Sequence, residues 1–108
     1  MSISLPQAVA TYFDVSNGAG IDLLAQCFTP SAVVNDEART HQGHENIIAW
    51  KVASKKKFEY KVEPLRVSVT GDRVSVTAKV VGNFPGSPVN LEHEFQLLGE
   101  RIDSLEIH

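Results

Sequence analysis

The feature that most limits how this chain can fold is a change of period at residue 58. Before it, apolar residues recur at helical spacing; after it, they alternate with polar ones almost to the end of the chain. Phe58, Tyr60 and Val62 share one face of an extended run, Pro64 intervenes, and Leu65, Val67 and Val69 continue with the opposite parity. A parity flip inside one extended run marks a bulge, where an extra residue bends the strand and exchanges its faces, and a proline fits there because it has no N–H to give to the ladder. "TGDR" at 70–73 predicts a hairpin turn and Val74, Val76, Ala78 and Val80 the returning strand. "NFPGSP" predicts a looser turn, Leu91, His93, Phe95 and Leu97 the next strand, and "GER" a last turn before Leu105 and Ile107.

Upstream, Leu5, Ala8, Val9, Tyr12 and Phe13 lie on one helical face, with Ser4 and Gln7 spaced as a capping box and Asn17-Gly18 as the stop. Ile21, Leu24, Ala25 and Phe28 predict a shorter second helix, with Asp22 near its start and Pro30 just past its end. Ala32–Asn35 reads as a short strand and "EARTHQG" as a second extended stretch or loop. His44–Ser54 reads as a third helix with Ile47, Ile48 and Trp50 inward, and the lysines at 55–57 as a solvated turn. The order predicts an α+β domain spanning 1–108, in which one curved antiparallel sheet packs against three N-terminal helices around an apolar cavity.

A chain of 108 residues has room for one core and no second domain. Its net charge of −3 supplies no basic surface for phosphates, so nucleic acid is not an expected partner. "MSISLPQAVA" has no basic start followed by an apolar run, and no stretch approaches the ~20 apolar residues of a membrane span, so a cytoplasmic protein is expected. The single cysteine, Cys27, follows the helical apolar pattern and reads as a buried structural thiol.

The tyrosine of "VATYFDVSN", the segment "FTPSAVVND", the glycine ahead of "IIAW" and the long strands that follow resemble the nuclear-transport-factor-2-like superfamily over nearly the whole chain. Its SnoaL-like polyketide cyclases and ketosteroid isomerases, bacterial branches, are the nearest in pattern. The resemblance implies a cone-shaped fold whose cavity moves protons on apolar carbonyl compounds, without cofactor or metal. In the isomerase pattern a tyrosine on the first helix donates to the substrate oxygen, which implies that role for Tyr12, and an aspartate after the first strand moves the proton, which implies it for Asp36. The second donor of that pattern, a protonated aspartate two residues before a phenylalanine, is replaced by His93 in "HEF".

The residues themselves admit plainer roles. His93 on the apolar side of its strand needs a hydrogen-bond partner or must stay neutral, whether in a core or at a cavity. Tyr12 fits equally a core position with its hydroxyl on a carbonyl, and Asp36 the end of a strand. Phe13, Phe28, Trp50, Tyr60, Phe84 and Phe95 are expected to line the ligand pocket. His41, His44, Asp36 and Glu37 supply metal-ligand atoms, but their spacing matches no zinc pattern, so a polar loop is the preferred reading. Glu92 and Glu94 fall on the face opposite His93, and a homodimer through an outer sheet face bearing Val and Leu is expected.

Two functions remain open from the sequence. One is a small cofactor-independent acid/base enzyme, of isomerase or cyclase type, acting on a hydrophobic carbonyl compound through Asp36, Tyr12 and His93. The other is a non-catalytic module of the same fold for small-ligand binding or dimerisation. Nuclear transport is a third, weaker reading, because no surface for protein partners stands out.

Overall fold

The computed structural model describes residues 4–108; residues 1–3, the start of the stretch read for a leader, lie outside it. Helix α1 (Gln7–Ser16) begins behind Pro6, which occupies the cap position without a side-chain hydrogen bond. The expected Ser4–Gln7 capping box is therefore absent. A residue before proline is pushed out of helical geometry, so the helix cannot start early enough to use Ser4. The stop at Asn17-Gly18 is as expected, with Gly18 at φ 117°. Asn17 also ties the helix end to the sheet, accepting from the Val62 N–H at 2.7 Å and donating to the Val62 carbonyl at 2.8 Å.

The second helix is shorter than its apolar spacing suggests. A 3-10 turn over Ile21–Leu23 leads into α2 (Leu24–Cys27), and Phe28 already begins strand β1 (Phe28–Asp36). Pro30 thus lies within an irregular stretch of β1, where the pairing slips between Phe28 and Val33 and no N–H is required of it. β2 (Arg39–Gln42) follows, then α3 (His44–Lys57). The lysines at 55–57 form the last turn of α3 rather than a solvated turn, a place where cations meet the negative end of the helix dipole. Lys55 Nζ donates to the Ser16 carbonyl at the end of α1, locking the two helices together.

Four long strands complete the fold: β3 (Tyr60–Thr70), β4 (Arg73–Gly82), β5 (Val89–Leu98) and β6 (Arg101–Ile107). The sheet runs β2-β1-β6-β5-β4-β3, antiparallel except between β1 and β6. The expected bulge is present: Pro64 pairs with Ala78 and Arg66 with Thr77, leaving Leu65 without a partner. A second one sits in β6, where Gln96 pairs with Ser104 and Leu97 with Ile102. These bends turn the sheet around the helices, and Val74, Val76, Ala78, Phe95 and Leu105 are buried between the two layers.

On the outer face Ser75, Thr77, Glu92, Glu94, Gln96, Ser104 and Glu106 stand in register. Glu92 and Glu94 do lie opposite His93, and Ser75 donates to Glu94. Among the described residues no helix is long and apolar enough to cross a membrane.

Candidate functional site

A cavity of about 800 Å³ opens between α3, the concave face of the sheet and the β4–β5 turn. Tyr12, Asp36 and His93 all line it. The sheet register explains two of these: Val76, His93 and Ile107 are cross-strand partners, and Ile107 in turn pairs with Asp36. His93 and Asp36 therefore stand on one row of the concave face with Ile107 between them, their backbones roughly 10 Å apart at two strand spacings.

Asp36 ends β1, and its Oδ2 accepts from the Trp50 indole N–H at 3.0 Å. His93 is 4% exposed, stacked on Phe95 and edge-on to Phe13. Its Nδ1 donates to the Leu91 carbonyl at 3.3 Å, which leaves Nε2 as the acceptor of a neutral ring. Burial holds its pKa down to about 4, with the Leu91 bond opposing and Lys51 adding to the depression.

Tyr12 is buried, edge-on to Phe13, Phe28 and Phe95. Desolvation, reinforced by Tyr60, raises its phenol well above the ordinary value, so the hydroxyl keeps its proton. Burial likewise pushes Tyr60 up to about 12.

The sequence reading missed the group that connects these residues. Lys51 is 3% exposed, lines the cavity, and donates from Nζ to the Tyr12 hydroxyl at 3.2 Å and the Tyr60 hydroxyl at 3.4 Å. The ammonium lies 4.6, 4.8 and 5.8 Å from the ring centroids of Tyr12, Trp50 and Tyr60. Among the described residues the one side-chain ion pair within 4.0 Å is His108–Glu94, so no carboxylate neutralises Lys51. Desolvation, with repulsion from Lys55, lowers its pKa to about 7, against a smaller pull from Asp36. A signal for it exists in the sequence: Lys51 stands four residues after Ile47 on the buried face of α3, the place where a lysine is least expected.

Of the aromatic residues expected around a ligand, Trp50, Tyr60 and Phe84 line the cavity. Phe13, Phe28 and Phe95 do not; α1 lies over that end of the sheet and seals them into the core beneath Tyr12 and His93. His41 stacks on Trp50 at 5.8 Å, whereas the His44 ring bonds the Phe28 carbonyl at 2.8 Å, so the two imidazoles serve different partners. No group of three or more His, Cys, Asp or Glu among the described residues converges as a metal site. Cys27 is buried, its thiol pushed up to about 12 by desolvation, in keeping with a structural role.

A family model for the SnoaL-like domain matches residues 9–97. A candidate polyketide cyclase from Sinorhizobium meliloti is 47% identical, with 96% of this chain and 95% of that one aligned at a TM-score of 0.92. A protein with a ketosteroid isomerase-like fold from Catenulispora acidiphila, solved with trimethylamine, is 23% identical over 97% of this chain and 86% of that one, at a TM-score of 0.85. An epoxide hydrolase/cyclase-like enzyme of pyran ring formation in the polyether salinomycin is also 23% identical, over 94% and 86%, at 0.79. No curated protein matches the chain in sequence. The last two likenesses show the fold alone, a curved sheet and three helices of nuclear-transport-factor-2-like type.

Proposed function

The chain belongs to the SnoaL-like domain family, and from that premise we propose that it carries out isomerase- or cyclase-type proton transfer on a hydrophobic carbonyl compound. The observation that carries this reading is that a carboxylate, two protonated phenols and a neutral imidazole line one cavity whose walls also include the apolar Val62, Val80, Phe84 and Leu91. Asp36 takes the proton next to the substrate carbonyl, with its carboxylate oriented by the Trp50 N–H. Tyr12, held by Lys51, donates to the oxygen on which negative charge develops. His93 orients the substrate: with Nδ1 engaged on Leu91, its Nε2 accepts from a substrate hydroxyl. The roughly 10 Å between the Asp36 and His93 backbones suits a bicyclic molecule lying along the sheet row.

The test is binding of planar phenols and bicyclic enones, followed through Trp50 fluorescence, in the wild type and Asp36→Asn. A phenolate resembles an enolate, so removing the Asp36 charge should tighten its binding by about tenfold, the effect of one nearby like charge. Turnover of any enone that the wild type isomerises should fall at least ~100-fold in the variant. Phenolate binding indifferent to the substitution, or full turnover by Asp36→Asn, overturns the assignment and favours a non-catalytic ligand-binding module.

A further inference from the structure

Proton transfer by Asp36 and Tyr12 does not need an amine in the cavity, and placing one there without a carboxylate is costly. We infer that Lys51 Nζ is a nucleophile that forms an imine with the carbonyl carbon of an aldehyde or ketone bound in the cavity.

Three features support this. Lys51 lines the cavity, as do Tyr12 and Tyr60, the two residues whose hydroxyls its amine touches. Both of its hydrogen-bond partners are phenol hydroxyls, groups able to relay a proton between nitrogen and oxygen. The ring faces of Tyr12, Trp50 and Tyr60 surround Nζ, and so favour a cation at that point without quenching it as a carboxylate would.

In the addition step the lone pair of the neutral amine attacks the carbonyl carbon, and the C=O π pair moves to oxygen. One proton passes from nitrogen to that oxygen through the Tyr12 or Tyr60 hydroxyl, giving a carbinolamine. Protonation of its hydroxyl from solvent and loss of water leave a protonated imine on Lys51. The balance is amine plus carbonyl plus one proton to iminium plus water. The iminium withdraws electrons from the neighbouring C–H, and Asp36 on the facing wall receives that proton to leave an enamine.

The inference rests on the reading that the cavity takes hydrophobic carbonyl compounds, and the experiment separates the two. The wild type is incubated with 2-naphthaldehyde and sodium cyanoborohydride at pH 7, and the adducts are located by peptide mass mapping, alongside 2-naphthol binding read from Trp50 fluorescence. The expected result is one adduct at Lys51, formed at least tenfold faster than at Lys79 on the outer face of the sheet. It is abolished in Lys51→Arg, which keeps the charge. Lys51 modified no faster than Lys79 while 2-naphthol still binds overturns the imine and leaves the cavity reading standing. Neither adduct nor binding overturns both.

Discussion

The amine of Lys51 and the hydroxyl of Tyr12 meet at 3.2 Å across the join between α3 and α1, both side chains buried. Each alters what the other can do. The phenol gains a donor that holds it in place, and the amine gains a polar partner that is not a counter-charge. Desolvation pulls them in opposite directions, the phenol up and the amine down, because each resists its own charged form.

Lys51→Met should stabilise the protein, and by an amount that shrinks as pH rises. The folded-state pKa of about 7 lies below the ordinary 10.5, so between these values the unfolded chain holds a proton that the folded one has released. Wild-type stability therefore increases with pH from 7 towards 9, by roughly 2–3 kcal/mol over those two units. Above 9 the elevated Cys27 and Tyr60 groups act with the reverse sign, since the folded state then keeps protons that the unfolded chain loses. Urea denaturation at pH 6, 7, 8 and 9 should show the rise in the wild type and its absence in the Met variant. Parallel profiles would mean that Lys51 is solvated.

His93 governs the acid side. Its folded pKa of about 4 lies below the usual 6.5, so its contribution is complete above 6.5 and is lost as pH falls through 4. The loss amounts to about 3 kcal/mol if the ring stays buried throughout. His93→Phe, which keeps an aromatic ring against Phe13 and Phe95, should flatten the stability profile between pH 4 and 6.5. NMR of the imidazole in the wild type should show no titration of His93 between pH 5 and 7.

Asn17→Ala should cost about 2 kcal/mol, measured as a lower urea midpoint with unchanged slope. The variant leaves the Val62 N–H and carbonyl without the partners they now have at 2.7 and 2.8 Å, on a strand at the edge of the sheet. Asn17→Asp tests the geometry further, because a carboxylate replaces the acceptor but not the donor and should recover part of the loss.

Where the sequence was informative, one physical period dominated. Alternation from Tyr60 to Ile107 is set by a sheet with one buried face, and the parity change at Pro64 leaves a single pairing that buries both halves, so strands and bulge were legible. The cone-like architecture and the placement of Tyr12, Asp36 and His93 on one cavity followed from that and from the family pattern. The helical region was less legible. Phe28 suits a helix face and a strand equally, and its pairing with Ile102, 74 residues away, decides between them. Lys51 was hidden by its polarity, since pattern reading assigns charge to solvent and its buried partner Tyr12 lies on α1, 39 residues away. Phe13, Phe28 and Phe95 show the converse: apolar character places a residue inside but does not distinguish core from cavity wall.

The turn between β1 and β2 was illegible for a different reason. Glu37 and Ala38 have φ values of 53° and 62°, the left-handed region that hairpin turns usually fill with Asn or Gly. An alanine there costs about 1 kcal/mol in steric strain against its own backbone. Ala38→Gly should relieve that strain, partly offset by the greater freedom of glycine in the unfolded chain, for a net gain of about 0.5 kcal/mol. The turn joins Asp36 to Arg39, cross-strand partners that both line the cavity, so the same variant reports on whether strain holds the carboxylate in position. The Trp50 N–H bond to Asp36 and the β1–β6 pairing already fix that carboxylate, so phenol binding followed by Trp50 fluorescence should stay within about twofold of wild type while the urea midpoint rises. A higher midpoint with binding weakened tenfold or more would instead show that the strained turn aims Asp36.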